Sequence, residues 1–188
     1  MYVMKRTILN FLNRNQSLDH SICECRDQLY RVALSWSGDS MLADDLVQDT
    51  MTTALRKKDS LRDVEKLPAW LYRILYRCWQ QHLRNRKSHS EVHDNLTTGY
   101  DLTEHTGSQD EICKSVREAI YKLPGNQRHV VTLVDLQGLS YSDVSSILDV
   151  PIGTVMSRLS RARSTLAGHL QRFRDLPDNH STKIRSVS

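Results

Sequence analysis

Glycine and proline are scarce in this chain of 188 residues, seven and four in all, and phenylalanine occurs only twice. With 26% charged and 39% hydrophobic residues, that scarcity excludes a disordered or low-complexity chain and describes an ordinary helical protein. No stretch approaches the roughly 20 uninterrupted apolar residues that a membrane-spanning helix requires. The apolar run in residues 1–13 is too short and too broken by Asn for a signal peptide, so no membrane insertion and a cytoplasmic location are expected. The four cysteines, Cys23, Cys25, Cys78 and Cys113, are scattered, and reduced thiols are the default there. His20, Cys23 and Cys25 form too short a bite for a metal, and no second pair stands at zinc-finger spacing. A Gly-rich phosphate loop, a nucleophile elbow and paired catalytic carboxylates are all missing, so neither a cofactor nor catalysis is expected.

What the chain does have is an uneven charge. Its net +4 divides into fifteen Lys/Arg against ten Asp/Glu over residues 1–87, none against six over 88–112, and eleven against six over 113–188. A polyanion such as DNA is attracted to the two ends and repelled by the middle, which suits two contact modules on a tether. Residues 88–112 also lack apolar periodicity and are rich in Ser, Thr, His and acids. They read as a flexible acidic linker between a first domain over 1–87 and a second over 113–174, with a disordered tail over 175–188.

Elsewhere apolar residues recur at helical spacing and strict alternation is not found, so an all-α protein is expected. Helices are predicted near 20–36, 41–57, 67–86, 111–122, 126–137, 140–148 and 153–172. Gly38 and Gly138 stand where helices should stop, Pro68 where a first turn tolerates it, and Ser140 with Asp143 forms a weak capping box.

Residues 139–163 hold a short capped helix, a tight turn with Pro151 and Gly153, and a second helix from about Thr154, a helix-turn-helix. Val144, Ile147, Val150, Ile152, Val155 and Leu159 make the seam, leaving Thr154, Ser157, Arg158 and Arg161 on the opposite face. From Thr154 to Arg174 there are five arginines and no acid, as a helix entering a major groove requires. A solvated basic face is the plainer alternative.

In the first domain, Leu42, Leu46, Val47, Thr50, Met51, Ala54 and Leu55 share one face of a helix, and Asp45, Gln48, Asp49 and Thr52 fall outside it. The acids Asp44 and Asp45 equally suit a helix N-terminus. Over 67–87, Leu71, Ile74, Leu75, Cys78 and His82 cluster on one side, extended by Tyr72, Tyr76, Trp79 and Leu83. Opposite them Arg73, Arg77, Gln80, Gln81 and Arg84 form a stripe able to carry a DNA backbone. Trp70 stands at its edge, where a ring can stack on an unpaired base; Tyr72, Tyr76 and Trp79 read as core.

The segments Leu123-Pro124, Arg128, Gly138-Leu139-Ser140-Tyr141, Val150 to Val155 and Ser157 to Arg163 resemble the carboxyl-terminal domain of extracytoplasmic-function sigma factors. Asp44-Asp45-Leu46-Val47-Gln48-Asp49 and Ala69-Trp70-Leu71-Tyr72-Arg73-Ile74 resemble their amino-terminal domain. The resemblance covers about residues 24–87 and 113–172, in the family's order. It implies a factor that brings core RNA polymerase to promoters and starts DNA melting. Asp45, Gln48 and Asp49 would contact the clamp helices of the polymerase's largest subunit, with a further contact to its flap. Trp70, Arg73, Arg77, Gln80, Gln81 and Arg84 would read and melt the minus-ten element, the loop from Asp59 to Pro68 capturing a flipped base. Thr154, Met156, Ser157, Arg158, Arg161 and Arg163 would read the minus-thirty-five element, and an anti-sigma factor would be a partner. The chain departs from the pattern at Arg77, where the family usually has Asn, at Met156, usually Lys, and at Asp143-Val144-Ser145, usually Glu-Ile-Ala. Two rival readings are a stand-alone helix-turn-helix regulator, which leaves the aromatic-basic helix unexplained, and a mimic that sequesters an anti-sigma factor, which has no use for two arginine faces.

Overall fold

The computed structural model describes residues 18–89 and 108–174, and every regular element within them is helical. A short helix α1 at 18–24 leads into α2 (Arg26–Ser37), α3 (Ser40–Lys57) and α4 (Leu67–His89). The single helix expected over 20–36 is interrupted at Cys25, whose N–H donates to the Ile22 carbonyl at 3.1 Å and tightens the turn. Periodicity conceals the break because Ile22 and Leu29 stay buried on the same face. At the end of α2, Gly38 takes φ 69° and donates its N–H to Leu34, a left-handed cap that suits glycine. Asp39 then caps α3 by accepting from the N–H groups of Met41 and Leu42 at 2.9 and 3.1 Å.

The inner face of α3 carries Ala43, Leu46, Val47, Thr50 and Ala54, with the Thr50 hydroxyl satisfied by the Leu46 carbonyl at 2.7 Å. Leu55, expected on that face, is exposed instead: Ala43 and Ala54 are small enough to bring α3 close to its neighbours, which rotates the stripe away from it. Two single-turn 3-10 helices, Lys58–Ser60 and Val64–Lys66, deliver the chain to α4, where Pro68 lies in the first turn.

The second body holds α5 (Ser108–Tyr121), α6 (Gly125–Val131), α7 (Tyr141–Leu148) and α8 (Ile152–Arg174). The helix expected over 126–137 changes character halfway. From Thr132 to Leu136 it widens into a π turn, with the Gln137 N–H reaching the Thr132 carbonyl at 3.1 Å. Ser140 caps α7, its hydroxyl accepting from the Asp143 N–H at 3.1 Å and donating to the Asp143 carboxylate at 2.6 Å. Asp149 takes φ 55° to leave α7, and the Ser145 hydroxyl holds the turn by donating to the Val150 carbonyl at 2.6 Å. Val144, Ile147, Leu148, Val155, Leu159 and Ala162 fill the seam; Ile152, assigned to it from the sequence, is 47% exposed because it opens α8 before the helix reaches the core.

The two bodies are not apart. α4 packs on α7, and α2 packs on α5 and α6, so buried residues from both form one apolar cluster. Tyr72 donates to the Gln137 side chain at 2.6 Å, Arg73 to the Ser146 carbonyl at 2.9 Å, and Arg128 to the Trp36 carbonyl at 2.8 Å; the hydroxyls of Ser35 and Thr132 meet at 3.1 Å. Tyr72, Tyr76 and Trp79, expected as core of the first body, are covered in part by the second. α4 runs through His89 and α5 starts at Ser108, so both helices enter the segment expected as linker; its centre and the tail over 175–188 lie outside the described residues.

Candidate nucleic-acid interface

An open groove of about 690 Å³ runs between α3 and α4. Asp45, Gln48 and Asp49 are exposed on its α3 wall; Trp70, Arg73, Arg77 and Gln81 stand on its α4 wall. The expected polymerase contacts and much of the expected minus-ten surface thus share one trough, although sequence reasoning assigned them separate faces. Trp70 is half-buried in the first turn of α4, with its ring against the core and one edge in the groove. Among the described residues Asp45, Asp49 and Arg77 form no ion pair, so both signs of charge are open to partners. Arg56 and Lys57, in the last turn of α3, extend the trough and were missed. Their spacing of seven and eight residues from Asp49 was the signal that placed them on its face.

The two stripe residues outside the groove, Gln80 and Arg84, are tied to their neighbours on α4. Gln80 turns away to donate to the Tyr76 hydroxyl at 2.7 Å. Gln81 donates to Asn85 and accepts from Arg84, both at 2.8 Å, which holds the amide and guanidinium of the stripe in a fixed row.

On α8, Met156, Ser157 and Arg161 are exposed while Thr154 and Arg158 are half-buried. The Ser157 hydroxyl donates back to the Thr154 carbonyl at 3.1 Å. The face is therefore a cationic strip, with Met156 as an exposed apolar contact in its middle, projecting from a turn that is locked on both sides, the form in which a helix enters a major groove.

Residues 22–89 match the family description Sigma-70 region 2, and residues 113–166 match Sigma-70, region 4. An ECF RNA polymerase sigma factor, EcfG of Rhodopseudomonas palustris, is 36% identical over 155 residues, covering 82% of this chain and 85% of that one. The chain belongs to the extracytoplasmic-function sigma factors. SigM of Mycobacterium tuberculosis is 39% identical over 140 residues, covering 74% of this sigma factor and 70% of its own length. Among solved structures, the sigma factor RpoE in complex with the anti-sigma factor NepR, from Bartonella quintana, overlays with a TM-score of 0.73 at 30% identity, over 83% of this chain and 98% of that one. CnrH, solved with the cytosolic domain of CnrY, shares the fold at a TM-score of 0.58 and 21% identity.

Two features of the sigma factor were not visible in its motifs. Arg163, expected on DNA, donates along one edge of its guanidinium, through Nη2 and Nε, to the two carboxylate oxygens of Asp135 at 2.6 and 3.1 Å, a pairing that raises the pKa of the guanidinium. Arg128, quoted only as part of a pattern, caps the end of α5 through the carbonyls of Tyr121 and Leu123 and lies over the Tyr121 ring at 4.5 Å. Burial pushes the thiols of Cys25 and Cys78 upward, away from the nucleophilic thiolate form. No cluster able to hold a metal ion occurs among the described residues, and no helix there is long and apolar enough to cross a membrane.

Proposed function

We propose that the sigma factor grips core polymerase with the α3 wall of the groove, through Asp45, Gln48 and Asp49, and holds promoter DNA with α4 and α8. The observation that carries this division is the shared trough: carboxylates and an amide face guanidiniums and an indole across one cleft. A carboxylate wall repels phosphates and suits a basic protein partner, while Trp70, Arg73, Arg77, Gln81 and Arg84 suit an unpaired strand. Gln80 joins them once it releases Tyr76. Thr154, Met156, Ser157, Arg158 and Arg161 read the upstream duplex, with Arg163 a phosphate contact kept in place by Asp135.

The division of labour follows a first domain over 1–87 and a second over 113–174, and the flap is the second domain's contact on the polymerase. The factor works in the cytoplasm by binding energy alone, catalysing nothing. A protein antagonist of the anti-sigma kind is a fitting partner, since the Bartonella factor that overlays on both bodies was solved with the anti-sigma factor NepR. The test is a pull-down of core polymerase followed by run-off transcription on genomic fragments. Core polymerase retained by the wild type and lost on Asp45→Lys with Asp49→Lys is the expected result; no association with polymerase lacking its own specificity subunit would end the proposal.

A further inference from the structure

His129 belongs to α6, yet the rings that surround it belong to the other body. Trp36 of α2 stands with its centroid 4.9 Å away, Tyr76 of α4 at 5.6 Å and Trp79 at 6.4 Å, each at a steep angle to the imidazole. Trp36 and Tyr76 also meet edge to face at 6.0 Å, closing the cage. The charges that reach the imidazole are both positive: Arg128 beside it on α6 and Arg158 on α8. α4 offers the Tyr76 hydroxyl, already accepting from Gln80, and His82, which stacks against Trp79 at 6.1 Å. α2 presents Trp36, which does not titrate.

We propose that this cage is an acid-released latch: neutral His129 holds the two bodies together, and its protonation opens the sigma factor. A cation in the cage has lost its water and faces two guanidiniums, and attraction to the aromatic rings is too weak to compensate. Burial first, then Arg128 and Arg158, lowers His129 from 6.5 to about 4 while the bodies are joined. Separation removes Trp36, Tyr76 and Trp79 together, and the imidazole returns to the ordinary value near ~6.5. Because the closed form has the lower value, the latch is whole above that pH and weakens as pH falls from 6.5 toward 4. The opening equilibrium should therefore rise about tenfold between pH 7.5 and 5.5.

Opening matters to function because the closed body is too small for its target. Positions thirty-five and ten upstream of a start site lie roughly 85 Å apart on B-DNA, at about 3.4 Å per base pair. A compact body of about 140 residues has a radius of gyration near ~14 Å and spans about 40 Å. Opening also frees Arg73 from Ser146. The inference stands on the packing of the two bodies and not on which residues touch polymerase.

Small-angle scattering of the full chain at pH 7.5, 6.5 and 5.5, with proton NMR of the His129 ring, tests it. The wild type should expand on acidification, with the ring titrating over the same range. In His129→Phe and His129→Gln the acid-induced expansion should vanish, whatever dimension each variant starts from. Equal wild-type dimensions at pH 7.5 and 5.5, or expansion with acid in either variant as large as in the wild type, would overturn the latch.

Discussion

Trp70 shows how much a single ring can be asked to do. Its place in the groove, half inside the core, lets it keep its packing while offering an edge to an unpaired base. Stacking is worth on the order of 1–3 kcal/mol per base, so Trp70→Ala should cut permanganate reactivity of the promoter bubble by about tenfold or more while leaving closed-complex affinity mostly intact. Unchanged footprints would remove the ring from strand opening. Arg161 is the cleaner probe of α8, exposed and without an ion pair among the described residues, whereas Arg163 is held by Asp135 and Arg158 is half-buried. Arg161→Ala should weaken binding to upstream duplex and, if it neutralises a phosphate, lower the salt slope of anisotropy titrations by about one.

At the scale of elements, the short helix α7 depends on its cap. Ser140 satisfies the Asp143 N–H, and its loss in Ser140→Ala should cost about 1 kcal/mol, seen as a fall of roughly 2–4 °C in thermal melting. No change would mean that α7 is held by α4 and α8 alone. This cap, the stops at Gly38 and Gly138 and the start at Pro68 were legible because each acts within one turn of chain. The helix-turn-helix was equally legible, since its seam and its arginines obey one period. The π turn at Thr132–Leu136 and the break at Cys25 were not, because an apolar stripe counts faces and is blind to one residue more or less inside a buried turn. The shared groove was hidden for another reason: it is the sum of two helices, and each helix by itself shows only half of it.

For the whole molecule, charge spoke of two separate bodies and the structure joins them. Tyr72, Tyr76 and Trp79, read as core of the first body, are where the second body covers α4. Gly38 reports on the union directly. It takes φ 69°, and a Cβ built on it would lie 2.2 Å from the Tyr121 ring of the other body. Gly138 has the same φ with open space around it. Gly38→Ala and Gly138→Ala should both lower the melting temperature through backbone strain of about 1–2 kcal/mol. Only Gly38→Ala should also enlarge the radius of gyration at neutral pH; equal dimensions for both variants would show that Tyr121 moves aside freely.

The π turn has a consequence for how such a chain can change over generations. It is one residue of slack wound into α6, placed just before Gln137 and α7. Losing a single codon there, a change that leaves the reading frame intact, would let the helix wind regularly and leave everything after it facing as before, because the wide turn already absorbs the extra residue. Gln137 would still meet Tyr72, and the arginines of α8 would keep their quarter of the compass in a chain one residue shorter.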